Sequence, residues 1–353
     1  MHLRLLGQLV LTLSLGLPVA SQASSTSNAP AGATSHAKVP AEAPQPEPSS
    51  LSARAPDSRW SPGDFTVVAL PDTQCYTGTR SGGKPEMFTA QTEWILSNRV
   101  SRNIAYVALE GDISNDGSGV ITQWRNATNA LYRLEDPARS GLPEGIPYGV
   151  AVGNHDAYNG GTAKFNQFFG TNHFAGHSYY GGNYSTNNDS HYDLFSAGGR
   201  DFVVLSLTMA AGSDPALLGW ANAVLHSNVN RRAIVVTHSL LNPAPWPTPA
   251  SWTREGPAIF QALTNNPNLF LMLCGHRHGE GRRYEPVGTN RHVDVVLADY
   301  QSYPNGGDGF LRLLEFSPSN NVIRVRTFSP WTGQWATDTN GCFTLDCPLW
   351  KAP

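Results

Sequence analysis

Five short polar segments carry residue types that bind metal ions, and each follows an apolar run. They are Pro71-Asp72-Thr73-Gln74, Gly111-Asp112-Ile113-Ser114-Asn115, Gly153-Asn154-His155-Asp156, the single His238, and Gly275-His276-Arg277-His278. Carboxylate and amide oxygens mixed with imidazole nitrogens suit Mn, Fe or Zn better than Ca. Two such ions about 3.5–4 Å apart share a bridging carboxylate and a bridging hydroxide that attacks phosphorus in line. Gly111, Gly153 and Gly275 precede candidate ligands and let the backbone turn sharply there. Taken singly each motif is weak, since Gly-Asp is usually a turn and Asn-His-Asp serves equally as a cap or an Asx-turn. Their weight lies in order and placement: each ends a strand, and sites in open parallel sheets form beyond the strands' carboxyl ends.

The elements that must position them are legible as alternating patterns. Phe65 to Leu70, Ile104 to Leu109 and Pro147 to Val152 read as buried strands. Between them, Pro85 to Val100 and Val120 to Leu134 carry helical spacing. A β-α-β-α-β order implies parallel strands with helical crossovers. Gly160 to Asn188, dense in Gly, Asn and Tyr, reads as hairpins and long loops. Strands follow at Tyr192–Phe195, Phe202–Leu207, Ala233–Val236 and Leu269–Leu273, with helices near Pro215–Leu225 and Pro257–Leu263. From Arg291 to Arg326 the pattern turns to short alternating strands, as a sheet-on-sheet core with helices outside requires.

With those motifs in place, the series from Phe65 to about Phe328 resembles the calcineurin-like metallophosphoesterase family. Its pattern is D-x-H, G-D-x-x-[DN], G-N-H-[DE], a lone His, then G-H-x-H. The Asp72-Thr73-Gln74 block, with Gln in the third position, and the tail from Phe328 to Asp338 resemble an exported bacterial subgroup. The resemblance implies an α/β fold, a four-layer α/β/β/α sandwich, with two bound metal ions. The first ion would take Asp72, Gln74, Asp112 and His278, and the second Asp112, Asn154, His238 and His276, with Asp112 bridging. His155 would face the phosphate, stabilising charge or protonating the leaving oxygen. Asp156 would either orient the His155 imidazole or serve as a turn residue only, and Asn115 would either reach the phosphate or serve the turn. Gln74 departs from the family's His. An amide oxygen is a harder, weaker ligand, so Mn, Mg or Ca becomes admissible at the first position. Alternatively, Gln74 stands behind the metal and water takes its place.

Composition narrows the function. The 353 residues are 40% hydrophobic and 14% charged, with a net charge of -3 and no basic block, so no nucleic-acid-binding patch is expected. Arg4 and the apolar stretch from Leu5 to Ala20, then Ser21-Gln22-Ala23, read as a signal peptide over residues 1–23 rather than an uncleaved anchor. Residues 24–59, rich in Ala, Pro and Ser, read as a disordered linker, and residues 60–353 as the catalytic domain. The expected location is secreted, periplasmic or extracellular, with no transmembrane helix after signal removal. Cys342 and Cys347 are expected to close a C-terminal loop, while Cys75 and Cys274 are either bridged or two buried thiols. The leading function is hydrolysis of small-molecule phosphomono- or phosphodiesters. The alternatives are a phosphoprotein phosphatase and a non-catalytic surface binding protein. Arg254 and Arg277, like Arg80, Arg282 and Arg283, either grip phosphate oxygens or pack the rim.

Overall fold

Apolar runs without polar alternation form strands buried on both faces, which requires cover on each side of a sheet. The computed structural model describes residues 60–117 and 119–347. Its strands begin with β1 (Phe65–Leu70), β2 (Ile104–Leu109) and β3 (Tyr148–Val150). There follow β4 (Tyr180–Asn183), β5 (His191–Ala197), β6 (Arg200–Leu207), β7 (Arg232–Thr237), β8 (Leu269–Cys274), β9 (Gly279–Val287) and β10 (Arg291–Asp299). The last are β11 (Leu311–Ser317), β12 (Val322–Phe328) and β13 (Cys342–Asp346). One sheet runs β13-β12-β11-β1-β2-β3 and the other β4-β5-β6-β7-β8-β10-β9. Strands β1, β2 and β3 are mutually parallel, and so are β6, β7, β8 and β10.

Side chains alternate across each strand, and this sorts the core into three bodies. Phe65, Val67 and Ala69 of β1, with Phe316 of the neighbouring β11, face the second sheet, against Phe202 and Ile234. Val68 and Leu70 face outward beneath Phe88 and Ile95 of helix Pro85–Asn98 and Trp124 of helix Ile121–Leu131. Across the molecule, Leu217 and Leu225 of helix Pro215–Ser227 cover Val203, Leu205 and Val235 together with Ile259 and Leu263 of helix Gly256–Leu263. Helix, sheet, sheet and helix stack in that order, which is the α/β/β/α sandwich. Helix Pro215–Ser227 starts sharply because the Asp214 carboxylate accepts from the backbone N–H groups of Ala216 and Leu217, each at 3.0 Å, with Pro215 in the first turn.

Two expectations need correction. The stretch expected to be hairpins and loops contains helix Ala163–Phe169 and a helical turn Thr171–Phe174. Phe165 and Phe169, one helical turn apart, and Phe174 in the next turn bury against the Trp124 side of the core, which overrides the local glycine and asparagine content. Cys342 and Cys347 do not pair. Residues 342–346 are extended in β13, so at ~3.4 Å per residue the two Cα atoms stand about 17 Å apart, well beyond disulfide reach. Cys75 and Cys274 are also free, and both are buried. The expected signal peptide and linker lie outside the described residues. Among those described, no helix is long and apolar enough to cross a membrane.

Candidate metal centre

The carboxyl ends of β1, β2 and β3 meet those of β7, β8 and β10, and the five motifs converge there. One carboxylate oxygen of Asp112 and one imidazole nitrogen each of His238 and His276 lie within 4.8 Å of one another. His238 Nε2 is 3.2 Å from Asp112 Oδ2 and 3.2 Å from Asn154 Oδ1. Its other ring nitrogen, Nδ1, donates to the carbonyl of Glu110 at 2.9 Å, which leaves Nε2 to face the donors. Asp72 lies beneath, its two carboxylate oxygens accepting from the His276 backbone N–H at 3.2 and 3.1 Å. His278, one residue beyond Arg277, is exposed.

Backbone strain and two glycines make this convergence possible. Asp72, Asp112 and His276 all have positive φ, at 34°, 50° and 70°, a region that costs a non-glycine residue free energy and persists where surrounding structure enforces it. A Cβ on Gly153 would stand 2.0 Å from Asp112 Oδ1, and one on Gly275 would stand 1.9 Å from Asp72 Oδ2. Any larger residue at either position would displace a candidate ligand.

The charges are deeply buried and mostly of one sign. Burial, reinforced by Asp299, Asp112 and Glu110, drives the Asp72 carboxyl well above its usual range. Burial also raises Glu110, partly relieved by Arg312, and raises Asp299, where His278 and His238 pull the other way. For Asp112, burial acts upward but His238 beside it prevails, and its pKa is lowered. Burial opposes the charge on His238 in turn, yet Asp112 lifts the imidazole to about 9. The pairing suffices: unit charges about 4 Å apart at an effective dielectric of ~20 exchange roughly 4 kcal/mol. His276 is lowered to about 4, by burial first and then by His238 and Arg277. Burial pushes three of the four carboxyls up while His238 holds Asp112 down, so Asp72, Glu110 and Asp299 are acids whose ionised form a bound cation would stabilise. The Gln74 side-chain oxygen points the same way, being buried without a hydrogen-bond partner. Donor types, spacing and charge all fit bound metal ions.

Around this core the expected roles divide. His155 donates its backbone N–H to Asp112 Oδ1 at 2.8 Å, and its Nδ1 lies 2.7 Å from the carbonyl of Asn115. A carbonyl only accepts, so Nδ1 carries the hydrogen and Nε2 is the nitrogen left to exchange a proton. The orienting partner of His155 is therefore the Asn115 backbone and not Asp156. Asp156 is fully buried and accepts from the N–H groups of Ser114 and Gly153, both at 2.9 Å, which ties the second motif loop to the third. Gln123 performs a similar service: its side-chain oxygen accepts from Ser114 Oγ and from the backbone of Asn115 and Asp116. Sequence reasoning missed Gln123, Glu110, Asp299 and Gln301. The only signal available was that Glu110 and Asp299 are acidic residues at the ends of apolar strands.

A cavity of about 520 Å³ opens beside His276, lined by Ser239, Thr253, Arg254, Glu255 and Arg277 among others. A larger one, about 700 Å³, lies where Ile104 begins β2, walled by residues such as Asn103, Leu142 and Phe195, and none of the motif residues lines it. Of the candidate ligands, His276 lines the smaller cavity.

A two-sheet sandwich with Asp, Asn and His gathered at its strand ends defines the architecture of a metal-dependent phosphoesterase. The chain belongs to the calcineurin-like phosphoesterase family, whose sequence pattern matches residues 65–280. It is 37% identical over 289 residues to the uncharacterized protein YvnB of Bacillus subtilis (strain 168), covering 78% of this chain. The match spans only 21% of YvnB, so the chain corresponds to about a fifth of that relative. Among solved structures it is similar to GAP50, described as the anchor in the inner membrane complex of Plasmodium, with a TM-score of 0.50 at 12% identity over 82% of this chain and 90% of that one. A dimetal phosphatase from Danio rerio aligns with a TM-score of 0.48 at 13% identity, over 80% of this chain and 98% of that one.

Proposed function

We propose that this chain hydrolyses small-molecule phosphate esters outside the cytoplasm, at two metal ions held by Asp72, Gln74, Asp112, Asn154, His238, His276 and His278. The observation that carries the reading is the convergence of Asp112, His238 and His276 within 4.8 Å, on strand ends drawn from both sheets. Bound metal ions would supply Lewis-acid stabilisation of phosphate charge and a water molecule acidic enough to react near neutral pH. The Asp72, Asp112, Gln74 and Asn154 side chains and the three imidazoles would hold those ions, with Mn, Fe or Zn favoured by the mixed oxygen and nitrogen set and Ca or Mg admissible beside Gln74. His155, locked at Nδ1 by the Asn115 carbonyl, presents Nε2 for proton transfer at the leaving oxygen. The cavity with Arg254 and Arg277 on its wall receives the part of the ester beyond the phosphate. Export rests on the apolar stretch from Leu5 to Ala20 and the small residues after it.

The fold alone does not entail turnover, since a protein of this fold is described as an anchor. Purified protein loaded with Mn, Zn, Fe or Ca should hydrolyse mono- or bis-nitrophenyl phosphate. Absence of turnover with every metal would overturn the enzymatic reading in favour of a binding protein on the same scaffold.

A further inference from the structure

Gln74 presents a problem of direction. A side-chain amide has two faces of opposite character: its oxygen binds a cation, while its NH2 group repels one. The two faces interchange by rotation about a single bond. For Gln74 to act as a ligand, something must fix which face looks into the site.

The residues that do so come from the segment after β10. Gln301 Oε1 accepts from Gln74 Nε2 at 2.7 Å, a contact between residues 227 positions apart in sequence. The Cys75 thiol sits 3.6 Å from the same oxygen. On its other side, Gln301 Nε2 faces Asp299 Oδ2 at 3.5 Å, and the Gln301 backbone N–H donates to Asp299 Oδ1 at 2.9 Å. Both Asp299 oxygens face hydrogens of Gln301, so the NH2 of Gln301 turns toward Asp299 and its oxygen turns toward Gln74. That oxygen in turn claims the NH2 of Gln74, and the Gln74 oxygen is left over, buried and without a partner.

We infer that Gln301, held by Asp299, is the positioning residue that aims the Gln74 amide oxygen into the first metal position. This rests on the reading of the site as a metal centre. A carboxyl group that accepts at one end of a row of amides fixes the direction of every amide along it.

The test measures metal content by elemental analysis, and affinity by chelator competition with Mn, on the full chain. In Gln301→Met, which keeps length and removes both hydrogen-bonding faces, one metal should stay tightly bound and the other should weaken by roughly 10–100-fold. In a Gln74→Leu background, Gln301→Met should change affinity by less than about 2-fold, because no donor atom is left to aim. Gln301→Asn, too short to reach Gln74, should reproduce the weakening if the Met variant does not fold. Two equally tight metals in both Gln301 variants would overturn the assignment. So would the loss of both metals from a variant with unchanged thermal unfolding, or an undiminished loss in the Gln74→Leu background. Wild-type protein that takes up no metal would overturn the metal-centre reading itself, and this assignment with it.

Discussion

Tyr106, His191 and Asp193 form one buried polar cluster, between the two sheets, and Asp72, Glu110, Asp112 and Asp299 form another, at the strand ends. Both are removed from water to a similar degree, yet they settle their charge differently. In the inner cluster, burial lifts the Asp193 carboxyl to about 8 despite the hydrogen bond it accepts from the Tyr106 hydroxyl at 2.6 Å, and burial lowers His191 to about 4. Both groups therefore tend to be neutral at pH 7, and their 3.8 Å approach is not an ion pair. In the outer cluster, His238 and Asp112 hold each other charged, while Asp72 and Glu110 remain strained by like neighbours. Burial alone drives ionisable groups toward neutrality. A place where an ion pair is kept despite burial, with further carboxyls pushed up by one another beside it, is one that a bound cation would relieve.

The sharpest way to break this contrast is Asp112→Asn. It removes the carboxylate that faces both His238 and the His155 backbone N–H, and the amide that replaces it has one oxygen to offer where two were needed. Turnover should be abolished and metal content reduced; a variant that retains both would show that charge at this position is incidental. His155→Ala comes next. Its ring is held by the Asn115 carbonyl and takes no part in the Asp112–His238–His276 group, so metal should remain while turnover slows by roughly 10²–10⁴-fold. Loss of metal from that variant would move His155 from proton transfer into the ligand set.

A third substitution separates two jobs that look alike in sequence. Asp156→Asn exchanges one carboxylate oxygen for an NH2 that confronts a backbone N–H of Ser114 or Gly153. The expected cost is about 1–3 kcal/mol of stability, read as a lowered midpoint in thermal or urea unfolding, with the pH dependence of turnover unchanged. A shifted acidic or basic limb in the rate profile would restore the role of orienting His155.

These cases show what could be read from the sequence and what could not. The motif loops, the parallel strands that carry them and the sandwich class all follow from patterns local to a few residues: an apolar run, a turn residue, a donor. Asp112, His238 and His276 were accessible on that basis. The partners of those residues were not, because they are set by tertiary contact. The Asn115 carbonyl is chemically identical to every other carbonyl, and nothing in Tyr300-Gln301 announces that its amide meets Gln74 from 227 positions away. Asp156 stayed open between two roles for the same reason, since adjacency to His155 in sequence does not decide where its oxygens point, and they tie the loops together. The Cys342–Cys347 pairing failed because proximity along the chain was taken for proximity in space, whereas β13 holds that segment extended against β12.

The inner cluster supplies the smallest effect and the cleanest sign. Folded protein keeps a proton on Asp193 up to about pH 8, while an unfolded aspartate releases it near the ordinary value of 3.8. Folding therefore takes up a proton between those limits, and stability falls as pH rises through the window. His191 acts in the opposite direction over a different range. The unfolded imidazole is protonated below 6.5 and the folded one only below about 4, so stability falls as pH drops between them. Below 6.5 the two contributions oppose; from 6.5 to about 8 Asp193 acts without His191. Asp193→Asn keeps an oxygen for the Tyr106 hydroxyl and removes the titration. In thermal melts from pH 6.5 to 8, the substitution should flatten the decline in unfolding midpoint seen in the wild type, with metal content and turnover unaltered. An equally steep decline in the variant would mean that Asp193 is already ionised in the folded state, and that the two clusters do not differ in the way their burial indicates.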